Sequence, residues 1–290
     1  MADVILLTVH GMGETPRDYA ADLEARLAAH IGPRFAQQVA LRPVFYQDIL
    51  QPNEREVWDR INASGAATPV HFAYLRKFLL FGFGDAAGLE NRKEEVGSVY
   101  EMAQMEIAKT LLDAFHANGP DTPVILLAHS LGCQVLSNYI YDAQKAQSGL
   151  PVGAGIWRDI DHWSITLQGR PLSAAEKKFL RCETALGWVT TGCNIPIFVA
   201  AHKEMTIIPI AAPRESFKWL NMYDPDDALG WPLQPLSEGY RQLVEDRAIN
   251  AGRGVIDMIV RSWNPLSHEI YWRDKEVIAA VAAMLTQLMR

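Results

Sequence analysis

Val124-Ile-Leu-Leu-Ala-His-Ser-Leu-Gly-Cys133 decides the fold. A short apolar run rich in branched residues ends at Ala128, a sharp turn is centred on Ser130, and a helical pattern opens at about Cys133. Strand, tight turn with serine at its apex, and helix make the sequence form of a nucleophile elbow. Such a turn lifts the hydroxyl clear of the sheet, and Gly132 lets the outgoing helix pack close to the incoming strand. The pattern usually has glycine at its first position; here that position is Ala128, the smallest departure available. A five-residue match also arises by chance, and a serine capping a helix needs no activity. The strand before it and the helical period after it favour the catalytic reading.

Working outward, Val96, Tyr100, Ala103, Ile107, Leu111 and Phe115 recur at helical spacing, and Gly119-Pro120 stops that helix before the Val124 strand. After the elbow, Val135, Leu136, Tyr139, Ile140 and Ala143 form one apolar face. Helix, strand, elbow and helix in alternation predict a mostly parallel sheet with helices on both faces. Val4–Val9 predicts a buried strand ending in the turn His10-Gly-Met-Gly13, and Val39–Tyr46 predicts a second strand. Helices are expected over Arg17–Ile31 and Glu54–Ile61, and a last one bears Val277, Ile278, Val281, Leu285 and Leu288. Strands are expected at Phe217–Tyr223 and Val255–Val260, with shorter pieces at Trp188–Thr191 and Ile195–Ala200. Ser148–Lys178 has no clear period and is expected to be an irregular excursion, with a helix over Ala174–Leu180. No repeat or linker divides the chain, so one domain is expected, with cap insertions at about 52–95 and 148–180.

The chain has 290 residues, 49% of them hydrophobic and 21% charged, enough for a large core. Its formal net charge is -7 and no polybasic run occurs, which disfavours nucleic acid and anionic membrane as partners. Cys133, Cys182 and Cys193 show neither metal-ligand spacing nor a disulfide framework. No metal and no cofactor are expected. The first ten residues lack a basic leader and are too short to span a bilayer, so a cytoplasmic location and no integral membrane segment are expected. The oligomeric state is not legible.

A serine nucleophile needs a base, and the base needs an orienting acid. On a parallel sheet of this kind the order along the chain is serine, acid, histidine, each in a loop at the carboxyl end of a strand. His268, between the last expected strand and the last helix, is the candidate base. The acid is sought in Tyr223-Asp-Pro-Asp-Asp-Ala-Leu229. Asp227 fits the loop best, Asp224 is nearest the strand end, and Asp226 competes, while all three suit a plain Asx turn. An oxyanion hole needs two backbone N–H groups, and those of Leu131 and Met12 are the candidates, with Gly11 and Gly13 freeing the turn. His10 is expected to be structural. Cys133 is expected to be buried, and the His129 side chain to turn away from the serine.

His10–Gly13, Ala128–Gly132, Trp219–Asp227 and Ser267–Trp272 together resemble the α/β-hydrolase superfamily, particularly its lipase-like and esterase-like bacterial serine hydrolases, some of which carry an Ala-His-Ser-Met-Gly elbow. The resemblance implies the α/β-hydrolase fold and cleavage of a carboxylic ester through an acyl-enzyme. Ser130 would attack, His268 would shuttle the proton and Asp227 would hold the imidazole. It implies a small-molecule ester or acyl substrate. Acyl transfer by the same site and a non-catalytic binding role on the same fold are the alternatives. The aromatic stretch His71–Phe83 reads either as a core helix or as a cap hinged at Gly82 and Gly84 that lines an apolar acyl pocket.

Overall fold

The computed structural model describes residues 2–63, 73–201, 207–251 and 270–290. Among these, the strands are β1 (Val4–Val9), β2 (Val39–Val44), β3 (Val124–His129), β4 (Ala185–Thr191), β5 (Lys218–Tyr223) and β6 (Val244–Ala248). They form one sheet in the order β2-β1-β3-β4-β5-β6, and every neighbouring pair is parallel. The helices are α1 (Ala21–Ile31), α2 (Arg34–Gln38), α3 (Gln47–Leu50), α4 (Pro52–Ala63), α5 (Ala73–Glu90), α6 (Val99–Asn118), α7 (Leu131–Gln147), α8 (Ile160–Gln168), α9 (Ala174–Leu180), α10 (Ile195–Ala200), α11 (Glu238–Leu243) and α12 (Lys275–Thr286). This is the α/β-hydrolase fold.

Strand pleat explains the two-sided core. Ile5, Leu7, Val9, Val124, Leu126 and Ala128 point to the layer built by α6 and α7, while Val4, Leu6, Ile125 and Leu127 point to the layer of α1 and α12. A parallel strand buried on both faces reads as a continuous apolar run, which is why β1 and β3 stand out in the sequence. Strand order reverses between β1 and β3. Crossovers leave a crevice at such a switch point, outside the carboxyl ends of the strands. The His10–Gly13 turn and Ser130 both lie there.

Several elements differ from the sequence expectation. Ile195–Ala200 is helix α10, not strand; Pro196 lacks the N–H a central strand needs and suits a first helical turn. The strand beyond β5 is β6 at Val244–Ala248, whose Glu245, Asp246 and Arg247 conceal it from a hydrophobicity reading. The expected strand Val255–Val260 lies outside the described residues. The excursion from Ser148 contains α8 as well as α9. It joins α7 to β4, and α8 and α9 pack on α6. The other expected insertion, 52–95, holds α4 and α5 and leaves the carboxyl edge after β2. Among the described residues no helix is long and apolar enough to cross a membrane.

Candidate active site

Ser130 follows the last residue of β3 and precedes α7 with φ 51° and ψ −123°. A non-glycine residue rarely holds this conformation, and it persists only where its surroundings enforce it. The enforcement is visible. The Ser130 N–H donates to the Thr191 carbonyl at 2.9 Å, and the Ser130 carbonyl accepts the Cys133 N–H at 3.0 Å. A Cβ on Gly132 would come within 2.6 Å of the Val9 carbonyl oxygen and closer still to that of His10. A Cβ on Gly11 would lie 2.8 Å from Ser130 Cβ. Two glycines thus let the β1 turn close against the elbow, backbone against backbone.

The turn after β1 is held from below by His10. Its ring is buried and stacks on Tyr46 at 4.1 Å. The Tyr46 N–H donates to Nε2 at 3.3 Å, so the ring proton sits on Nδ1 and goes to the Gly11 carbonyl at 2.8 Å. Burial lowers the His10 pKa to about 4, keeping the ring neutral. His10 is therefore a structural bracket, as its sequence setting implied. Among the described residues, no partner takes the N–H of Met12 or of Leu131. Leu131 opens α7, where the helix leaves its first N–H groups unspent and its dipole is positive. The first turn also carries Cys133, whose thiol burial pushes well above its ordinary pKa.

Two strands away, the loop after β5 carries the aspartates. Asp226 is exposed, whereas Asp224 and Asp227 are buried. Asp224 Oδ1 accepts the Asp226 N–H at 2.9 Å, and its carboxyl also meets the Ala251 backbone. Burial raises its pKa. Asp227 Oδ1 accepts the Leu229 N–H at 2.9 Å, and its Oδ2 accepts the Tyr271 hydroxyl at 2.9 Å. That hydroxyl in turn accepts the Asp224 N–H at 2.8 Å. Burial and the facing Asp227 keep the Tyr271 phenol protonated, so it remains a donor.

Tyr271 and Trp272 join this acid loop to the elbow. The Tyr271 ring lies 5.6 Å from that of His129, and Trp272 Nε1 donates to Thr191 Oγ1 at 3.1 Å. His129 Nδ1 donates to the Thr191 carbonyl at 3.0 Å. A cleft of about 240 Å³ opens beside these groups, with Gly11, Met12, Phe78, His129 and Tyr271 among its walls. Ser130, Leu131, Met12 and Asp227 are thus all at the carboxyl edge of one sheet. His268, the expected base, lies outside the described residues.

Sequence reasoning misses Tyr271 and Asp85. Tyr271 reads as part of an aromatic tail. Asp85 has a signal, being the lone charged residue between Phe78 and Leu89. The glycines beside it do not hinge the segment. α5 runs unbroken through Gly82 and Gly84, and these accept the Met12 side chain and Glu54 in close contact. Of the aromatics there, Phe78 lines the cleft, Phe81 is buried and Phe83 is exposed. Among the described residues, no three His, Cys, Asp or Glu side chains gather to hold a metal.

No family model matches the chain, and no curated protein matches it in sequence. Solved structures similar to it include a point variant of Arabidopsis thaliana SOBER1, at 10% identity and a TM-score of 0.44 over 99% of this chain and 100% of that one. An acetylxylan esterase is similar at 9% identity and a TM-score of 0.41 over 100% of both chains. An iodinated complex of acetyl xylan esterase is similar at 9% and 0.37, over 99% of this chain and 98% of that one. Likeness of this degree leaves substrate and mechanism to be argued from the site itself.

Proposed function

We propose that this protein is a serine hydrolase that cleaves carboxylic esters through an acyl-enzyme. The observation that carries the reading is the Ser130 backbone, φ 51° and ψ −123°, held in that state by close glycine packing. Strain of this kind has no use in a helix cap, and it presents a hydroxyl at the crevice. In the proposed cycle the Ser130 hydroxyl gives its proton to His268 as Oγ bonds to the ester carbon. The carbonyl oxygen becomes an anion facing the N–H groups of Leu131 and Met12. Collapse expels the alcohol, which takes the proton from His268, and water then releases the acid by the same steps in reverse. Asp227 holds the imidazole. Its support over Asp224 is the loop geometry: Asp224 turns its carboxyl onto backbone N–H groups, while Asp227 gives one oxygen to the Leu229 N–H and the other to Tyr271, three positions after His268 in the chain.

The test is labelling with a fluorophosphonate followed by peptide mapping, alongside hydrolysis of p-nitrophenyl acetate. One equivalent on Ser130, and a loss of about 10⁴-fold or more in Ser130→Ala, is the expected result. Turnover that survives in Ser130→Ala refutes the mechanism.

A further inference from the structure

Asp85 is wholly buried on α5, yet it carries a carboxyl group. Its Oδ2 accepts the Gly13 N–H at 2.9 Å and Gln51 Nε2 at 3.3 Å. Gly13 has φ +91° and follows Met12 directly, so this bond fixes the far end of the His10–Gly13 turn. Glu54 of α4 is buried against the same helix, where a Cβ on Gly84 would lie 2.7 Å from its Cδ. The two carboxyls hydrogen-bond each other. Burial is the main cause that raises Glu54 to about 8 and Asp85 to about 7. Near neutral pH burial favours a proton held between the two carboxyls. Asp85 Oδ1 and Glu54 Oε2 meet no hydrogen-bond donor among the described residues.

A buried charge is costly, and an apolar contact of equal volume would stabilise α5 at least as well. What the charge does here is directional. It is a strong acceptor aimed at one amide of the turn. From this we infer that Asp85 is a positioning residue for acyl transfer: it pins Gly13 and thereby fixes the direction in which the Met12 N–H points at the oxyanion. The inference rests on the hydrolase reading above. It also gives α4 and α5 a role beyond covering the sheet, since α5 brings Asp85 to a turn 72 residues earlier in sequence and α4 sets Glu54 against it. The groups around the pair are Gln47 of α3, Gln51 just after it, Tyr46 with its phenol held protonated, and neutral His10 stacked on Tyr46.

Asp85→Ala, Asp85→Asn and Glu54→Gln are compared with wild type on p-nitrophenyl acetate. Binding of a trifluoromethyl ketone, which forms a tetrahedral oxyanion on the serine, is measured in parallel. Asp85→Ala is expected to lower kcat by about 100-fold and Asp85→Asn by about 10-fold, less than or equal to the loss of an oxyanion donor outright. KM should stay within about threefold, and ketone affinity should fall by the same factor as kcat/KM. Wild-type kcat should also decline as pH passes about 8 and the Glu54 proton leaves, whereas Glu54→Gln, with its amide donor, should hold its own rate level there. Asp85 variants with kcat within twofold of wild type, or with kcat lost and ketone affinity kept, overturn the inference. If neither Asp85 variant folds, the pH comparison decides, and identical alkaline profiles overturn it. Wild-type protein that is neither labelled at Ser130 nor active removes the hydrolase reading and this inference together. Labelled, active protein with silent Asp85 variants removes only the positioning role.

Discussion

The two flanks of Ser130 are built from different materials. On the side of the His10–Gly13 turn, main chain lies on main chain, and Gly11 and Gly132 are the reason it fits. On the acid side, side chains do the holding, with the Tyr271 hydroxyl bridging Asp224 and Asp227. The first flank is a steric design, which fails when an atom is added. The second is a donor–acceptor design, which fails when a donor is removed or a charge changed, and tolerates shape. The distinction orders what each kind of substitution should do.

The largest effect is expected on the acid side. If Asp227 orients His268 as proposed, Asp227→Asn keeps the shape but presents the imidazole with an amide, and a loss of about 10⁴-fold in kcat is expected, as for triads whose orienting acid becomes an amide. Asp224→Asn measured in the same assay should cost far less. A reversal of the two would move the acid to Asp224 and leave the architecture of the flank unchanged. On the steric side, Gly132→Ala drives a methyl group against the carbonyls of Val9 and His10, neither of which is a flexible side chain. Destabilisation of about 3 kcal/mol or more in urea unfolding is expected. A wild-type midpoint would show that the elbow is looser than its contacts imply.

Smaller, and diagnostic of the second design, is Tyr271→Phe. Shape is kept, but the Asp224 N–H loses its acceptor and Asp227 Oδ2 a donor, at about 1–3 kcal/mol. The same substitution on a purely steric flank would be nearly silent, so an unchanged stability counts against the bridge. The smallest effect separates Glu54→Gln from wild type by pH. The folded-state pKa of Glu54 is raised to about 8 from an ordinary 4.5. The unfolded chain therefore sheds that proton first, and stability is lost as pH climbs toward 8. His10, lowered to about 4, acts in the opposite sense but only below about 6.5. Between pH 6.5 and 8 the carboxyl pair contributes a falling slope, and Glu54→Gln should make it shallower in thermal melts. Parallel slopes for the two proteins would contradict the shared proton.

What the sequence revealed follows from the range of the interactions involved. Ser130, Gly132 and the flanking run lie within ten residues, and the elbow is a local object, so propensity and period expose it. Buried β1 and β3 were legible because both faces demand apolar residues. β6 was not, because one edge-strand residue, Asp246, accepts from Asn221, Leu233 and Gln234 instead of packing apolar surface. α10 was obscured by Ile195, Ile197 and Val199, branched residues that mimic a strand, although Pro196 argued otherwise. The contact from Asp85 to Gly13 spans 72 positions, and no spacing rule reports a pairing made only when α5 docks. Burial separates Asp224 and Asp227 from exposed Asp226, a difference that a run of acidic residues does not disclose.

The polarity that conceals β6 bears on how copies of this chain meet one another. Among the described residues β2 and β6 are the open margins of the sheet. β2 carries Pro43, exposed and without an amide hydrogen, and β6 carries the Glu245–Arg247 ion pair, with N···O 2.7 Å, in water. Unpaired strand margins invite edge-to-edge addition, and proline and charge are what discourage it. An incoming strand would find a missing donor at one margin and two hydrated charges at the other. Growth of the sheet from molecule to molecule through either of these two margins, the first step toward a fibre, is opposed.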